Sequence, residues 1–281
     1  MDKLNIYAFA DESDPSIDGQ IDAMKRNGLT GLEIRGVDGT NIAEITVEKA
    51  KEVKEKLDKA GLVCWSIGSP IGKIDIEKDD FSAHVEKFKH VLELARVLDC
   101  HNIRLFSFFM PEGKNPDDYK DEVISRLKTL AELAVGTGVN LCHENEKGIF
   151  GDNIERCLQI FEAVPQLHGI FDPANFVQCG IDTKAAWEAL KSKIKYVHIK
   201  DSLADGNIVP AGRGDGNIPF ISAEFTKMGG KDFTMEPHLM EFDGLKGLER
   251  EGETSEVGKK YAFSSNEEAF DCACESFKAL I

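Results

Sequence analysis

Four residues of this chain have side chains suited to holding a divalent cation, and each stands at the end of an apolar run. Glu236 closes the run that opens FTMEPHL, Glu144 lies in NLCHENE, Asp172 in GIFDPAN and His198 in KYVHIKD. One acid at the end of one strand means little, because an acid there can simply cap the helix that follows. Four such ends meeting in space mean more. Three crowded carboxylates repel and raise one another's pKa, and a divalent cation removes that conflict. Three oxygen ligands and one imidazole form a hard site with room for two substrate oxygens. Such a set favours Mn2+ or Mg2+, with Zn2+ and Co2+ as alternatives.

Whether the four meet depends on the elements that carry them. Short apolar runs alternate with longer amphipathic stretches. Strands are predicted at 4–10, 31–35, 62–68, 102–108, 139–145, 169–172, 195–200 and 232–236. Between and after them, helices are predicted at 16–28, 46–61, 79–99, 117–138, 152–164, 183–194, 218–230 and 266–280; the third opens on an acidic cap. Eight strand–helix units without a linker or a break in composition imply a parallel sheet, and in this length a closed (β/α)8 barrel, one α/β domain over 1–281. An open doubly wound sheet usually has a glycine-rich first turn, which ADESDPSIDG is not. In a barrel the carboxyl ends of all strands open on one face. Alternation then puts Glu144 inward with Cys142, His198 with Tyr196, and Glu236 with Thr234, while Leu141, His143, Val197, Ile199, Phe233 and Met235 face the helices.

The same parity turns Lys200 inward, and turns Glu33, Arg35 and Arg104 into the barrel as a charge network with Glu33 within reach of Arg35 or Arg104. His238, two residues past Glu236, is a candidate substrate contact, and Asp201 a candidate to orient His198 or Lys200. Trp65 reads as core, or as a floor against which a sugar could stack, and His84, His90, His101 and His168 read as structural. The segment 239–265, rich in glycine and charge, reads as a lid or a partner surface.

Composition narrows the partners. A net charge of −16 and the lack of any Lys/Arg run with interleaved aromatics argue against nucleic acid and anionic membranes. No stretch is long and apolar enough to span a bilayer, and MDKLNIYAFADES has no signal core. Seven cysteines, an odd number with no CxxC pair, fit buried thiols in a reducing cytoplasm.

The whole chain resembles the xylose isomerase-like barrels, also called sugar phosphate isomerases/epimerases, through HENEKGIFGD, FDPANF, YVHIKD and TMEPHL. The resemblance implies one divalent metal on Glu144, Asp172, His198 and Glu236, with Glu144 and Glu236 also acting as the acid/base pair. It places Arg213, in the glycine-rich AGRGDGNIP, in the segment over the pocket. Many epimerases of the family carry Asp-x-x-His on strand six; here the stretch is DPAN, so Asn175 stands where that histidine would contact substrate, and an amide cannot move a proton near neutral pH. The implied activity is a metal-dependent isomerase or epimerase of a small carbohydrate, working through an enediolate, with self-association left open. A lyase of the inosose dehydratase or C-glycoside-cleaving kind would use the same site. A DNA-repair nuclease of the same fold would need more histidine ligands and a basic surface, and four intact ligands argue against a binding protein with a vestigial site.

Overall fold

The computed structural model describes residues 3–245 and 257–281. Eight parallel strands form a closed ring: β1 (Asn5–Ala8), β2 (Gly31–Ile34), β3 (Val63–Ile67), β4 (Asn102–Leu105), β5 (Asn140–Glu144), β6 (His168–Phe171), β7 (Ile194–Ile199) and β8 (Asp232–Met235). Closure comes from β1 lying beside β8, with Asn5 opposite Asp232 and Ala8 opposite Met235. The chain is therefore the (β/α)8 barrel that the alternation of elements predicts.

The helices are α1 (Ile17–Arg26), α2 (Val47–Ala60), α3 (Phe81–Leu98), α4 (Lys120–Ala134), α5 (Ile154–Ala163), α6 (Pro173–Gln178), α7 (Thr183–Leu190), α8 (Ile218–Lys227) and α9 (Asn266–Lys278). Several starts are fixed by side-chain caps: Ser16 accepts from Gly19 N–H, Thr46 from Lys49, Asp80 from Ser82 and Asp182 from Ala185. The fourth helix stops at Ala134, short of the predicted 138, because Gly136 and Gly138 take φ of 78° and 79°. The short elements without a sequence signal include α6, directly after β6, and two-stranded ribbons at the mouth (Gly36–Val37 with Thr40–Asn41, and Asp201–Ser202 with Ile208–Val209). Strands of two residues are too short for alternation to reveal. Among the described residues no helix is long and apolar enough to cross a membrane.

Outward side chains of the strands pack under the helices. Phe233 touches Phe225 of α8 (ring centroids 5.4 Å) and Phe277 of α9 (5.2 Å), and Phe171 meets Trp187 of α7 edge-on at 5.3 Å. Inward side chains fill the barrel. Near its amino end Trp65 stacks on Tyr7 at 4.5 Å and packs against Tyr196, Cys142 and Ile170, so it belongs to the core. A register shift between Leu32 and Glu33 skips Trp65 and sets Ser66 opposite Glu33. Above this plug, toward the carboxyl ends, the interior becomes polar.

Phe233 is fully buried between barrel and helices. Phe233→Ala should cost about 3–5 kcal/mol of stability, read from denaturant unfolding.

Candidate metal centre at the barrel mouth

Glu144 is the last residue of β5. Asp172 and Glu236 follow directly on β6 and β8, and His198 lies one residue before the end of β7. All four are buried, and one ligand atom from each lies within 4.8 Å of the others. The imidazole is the hub. Its Nδ1 is 3.0 Å from Glu144 Oε1, 3.3 Å from Glu236 Oε2 and 3.9 Å from Asp172 Oδ2. Its Nε2 points away, 3.2 Å from Glu33 Oε2. Asp172 divides its oxygens between two tasks. Oδ1 accepts the Asn175 N–H at 2.9 Å and caps α6, the local role open to any strand-end acid. Oδ2 receives no well-directed hydrogen bond, although the Lys200 ammonium is 2.9 Å away.

Glu33 does not pair with Arg35 or Arg104, as strand parity suggested. The register shift in β3 gives it Ser66 Oγ at 3.1 Å, and Tyr196 Oη (2.8 Å) and His198 complete its partners. The two arginines instead reach toward the mouth. Arg35 forks onto Asp11 (2.9 and 3.0 Å), donates to Glu12 Oε1 at 3.1 Å and reaches Glu236 Oε1 at 3.2 Å. Arg104 donates to Glu144 Oε2 at 3.1 Å and to the Gly68 carbonyl at 3.2 Å. Phe9 supports both: its ring centroid is 4.5 Å from the Arg35 guanidinium carbon and 4.8 Å from that of Arg104. A Cβ at residue 68 would sit 2.4 Å from that ring, so a glycine is required there.

Burial sets the electrostatics. It favours neutral carboxyls, and with Glu236 and Glu144 nearby it pushes the Asp172 pKa up, against the pull of Lys200. Glu236 goes the other way: burial is outweighed by the Lys200 and His198 charges, which hold it well below the usual carboxylate range. Burial opposes charge on His198 and Lys200 too, but the carboxylates facing each hold both pKa values well above the ordinary. Lys200 therefore bridges Asp172 at 2.9 Å and Glu236 at 3.1 Å, and of these two carboxyls Asp172 is the easier to protonate.

The other predicted residues take varied positions. Asn175 donates through Nδ2 to the Asn145 carbonyl (2.9 Å) and lies 3.5 Å from Glu144 Oε1, while Asn145 and Asp172 exchange two hydrogen bonds of 2.9 Å. His238 is buried beside Arg35 (3.5 Å) and Glu12 (3.5 Å); burial keeps its imidazole neutral, and its positive φ of 45° is held by an N–H bond to Glu12 Oε2 at 2.6 Å. Phe242 stacks on His238 and covers Arg35, so 237–245 folds back over this edge of the mouth; 246–256 of the expected lid lies outside the described residues. Arg213 is exposed.

Asp201 orients neither His198 nor Lys200. Its carboxylate turns into the glycine-rich loop and accepts the N–H groups of Ser202, Gly212, Gly214 and Gly216 at 2.8–3.0 Å. A Cβ at residue 214 or 216 would lie 2.4 or 2.6 Å from Asp201 Oδ1. The histidines left aside are structural: His84 accepts the Gly72 N–H at 2.8 Å, His90 bonds the Ile45 carbonyl, His101 is on the surface and His168 begins β6. Sequence reasoning missed Asp11, Glu12, Lys73 and Glu146, which follow strand ends as acids or bases of loops and carry no spacing signal. Lys73 and Glu146 pair at 3.1 Å.

The donors fit a divalent cation. Asp172 Oδ2 is a buried oxygen without a directed donor, Nδ1 of His198 faces three carboxylate oxygens, and Glu33 on Nε2 fixes which ring nitrogen faces them.

A closed eight-stranded barrel with a buried carboxylate–imidazole cluster at its carboxyl mouth defines a recognised class of protein. The chain belongs to the xylose isomerase-like TIM barrel family, whose model matches residues 21–256. Solved structures share the fold at low identity. The IolI protein with a bound zinc atom aligns over 99% of this chain and 98% of its own at TM-score 0.75 and 14% identity. D-allulose 3-epimerase from Methylomonas sp. covers 99% and 98% at 0.74 and 17%. The probable 3-DHS dehydratase AsbF from Bacillus anthracis covers 99% and 98% at 0.73 and 19%. No curated protein matches the chain by sequence.

Glu33→Gln keeps the shape beside His198 but removes the charge that faces Nε2. In calorimetric titrations with divalent cations this variant should bind about 10–100-fold more weakly than the parent chain, with the circular dichroism spectrum unchanged.

Proposed function

We propose that the chain is a divalent-metal-dependent isomerase or epimerase of a small ketose or related polyol, with Mn2+ or Mg2+ first among its metals and Zn2+ or Co2+ as alternatives. Glu144, Asp172, His198 and Glu236 would hold the ion. Family membership and the enzymes among the similar folds support the reading. The observation that carries it is the approach of Glu144, at the end of β5, and Glu236, just after β8, to one imidazole nitrogen at 3.0 and 3.3 Å. When bound, a divalent cation supplies Lewis-acid polarisation of a carbonyl and its neighbouring hydroxyl.

The protein's own groups do the rest. Glu236, kept ionised by Lys200 and His198, takes the proton from the acidified C–H. Glu144, beside Arg104 and Asn175, would enter the step as a carboxylic acid and give its proton to the enediolate on the face opposite Glu236 for epimerisation; for isomerisation the proton taken by Glu236 would return to the neighbouring carbon. Neutral His238, Asn175, Lys200 and Arg213 are the proposed substrate contacts. Elimination at the same site is the second reading; Lys200, a buried ammonium 3.1 Å from Glu236, would donate a hydrogen bond to the oxygen of a leaving hydroxyl. The seven free thiols suit a cytoplasmic setting.

In metal-saturated protein, Glu236→Gln and Glu144→Gln should each slow turnover about 10²–10⁴-fold, the usual worth of a positioned acid or base. Deuterium incorporation from D2O into the substrate carbon, with metal content assayed in the same sample, checks it. Near-normal turnover of metal-loaded Glu236→Gln would move the base to another group, neutral His238 first.

A further inference from the structure

The guanidinium of Arg35 has its charge answered twice over. Its fork takes both oxygens of Asp11 at 2.9 and 3.0 Å, and Nη2 also donates to Glu12 Oε1 at 3.1 Å. What remains, Nη1, lies 3.2 Å from Glu236 Oε1. With two carboxylates already on it, Arg35 offers Glu236 direction more than attraction. That direction sorts the two oxygens of Glu236. Oε1 faces Arg35 and, at 3.5 Å, Arg104, whereas Oε2 faces Lys200 at 3.1 Å and His198 Nδ1 at 3.3 Å. Holding Oε1 keeps Oε2 in the candidate metal cluster.

A second set of contacts holds Arg35 itself. Hydrogen bonds use the edge of a planar guanidinium, so its faces are left to rings. Phe9, directly after β1, and Phe242 each place a ring centroid 4.5 Å from the guanidinium carbon. Phe9 is fully buried, while Phe242 is half-buried and ends a strap, 237–242, that begins directly after Glu236. The strap is tied to the same partners. Glu12 Oε2 accepts the His238 N–H at 2.6 Å, and the Asn266 amide donates to the carbonyls of Glu12 and Glu241 at 3.2 and 2.7 Å. The His238 ring stacks on Phe242 at 5.5 Å.

We propose that Phe242 is a positioning residue for Glu236: seated over Arg35, its ring steadies the guanidinium that keeps Glu236 Oε2 in the cluster. Covering this edge of the mouth and placing Glu236 are then one event. The proposal rests on the metal-dependent reading above and deepens it.

The test is calorimetry on the full chain, titrated with Mn2+, Mg2+, Zn2+ and Co2+ in turn and continued with the cation the parent chain binds tightest. Phe242→Leu keeps apolar cover without a π face, and Phe242→Tyr keeps the face. Phe242→Leu should weaken binding about 3–30-fold, the worth of one cation–π contact, and Phe242→Tyr should stay within about twofold of the parent, both with unchanged circular dichroism. Added to Arg35→Lys, which keeps the charge but loses the planar fork, Phe242→Leu should cost less than about twofold more. Phe242→Leu binding as tightly as Phe242→Tyr reduces the ring to apolar cover and overturns the proposal, and so does a full-sized Phe242→Leu effect on top of Arg35→Lys. A parent chain that binds none of the four cations removes the metal-dependent reading and this proposal with it. Deuterium exchange from D2O into ketoses separates the remaining cases. Metal binding that follows the Phe242 series without exchange removes the isomerase and leaves the positioning role. Exchange by a chain whose Phe242→Leu and Phe242→Tyr variants bind metal alike removes this proposal and leaves the isomerase.

Discussion

Buried negative charge is the constraint around which this barrel is arranged. Glu33, Glu144, Asp172 and Glu236 all point into the interior, and a carboxylate in a low-dielectric interior must be paired, protonated or metal-bound. Each choice made above the hydrophobic plug answers that need. Two arginines and two lysines are drawn in, His198 is placed so that three acids share one nitrogen, and Phe9 is wedged against both guanidinium planes. The ring in turn depends on Glu33 holding the far nitrogen, and Glu33 depends on a strand register that delivers Ser66 to it. A backbone irregularity in β3 thus propagates to the orientation of a ligand on β7.

The division of labour between the glutamates follows from the same neighbours. Glu236 shares Lys200, Arg35 and His198, so its negative charge is well supported. Glu144 has Arg104 and His198 with an amide beside them. Asp172, committed by one oxygen to the cap of α6, has least support and is the natural site for the proton a metal would displace.

The barrel and its four candidate ligands were legible because both rest on short-range regularities: the alternation of apolar runs with amphipathic ones, and the parity of residues along a strand. The partners of Glu33 were not, since parity shows which way a side chain faces but not which neighbour a register shift brings opposite. Asp201 misled for a related reason. It follows Lys200 at a strand end, yet its partners are backbone groups of a loop, and backbone N–H groups leave no trace in residue type. Asp11 and Glu12 were passed over because ADES reads as an ordinary turn until Arg35 is seen to reach across to it.

The loop from Asp201 to Gly216 carries its own internal counter-anchor. Its curvature is set by one carboxylate and four amide protons together with the two-stranded ribbon it closes. Only the turn at 203–207, partly or fully exposed, is thereby released from shaping it, and Gly212, Gly214 and Gly216 absorb the geometric demand. Sequence drift in related chains should accordingly run through the ribbon tip and spare the acid and the three glycines, making the tip a natural graft point for peptides that must be displayed beside the barrel opening.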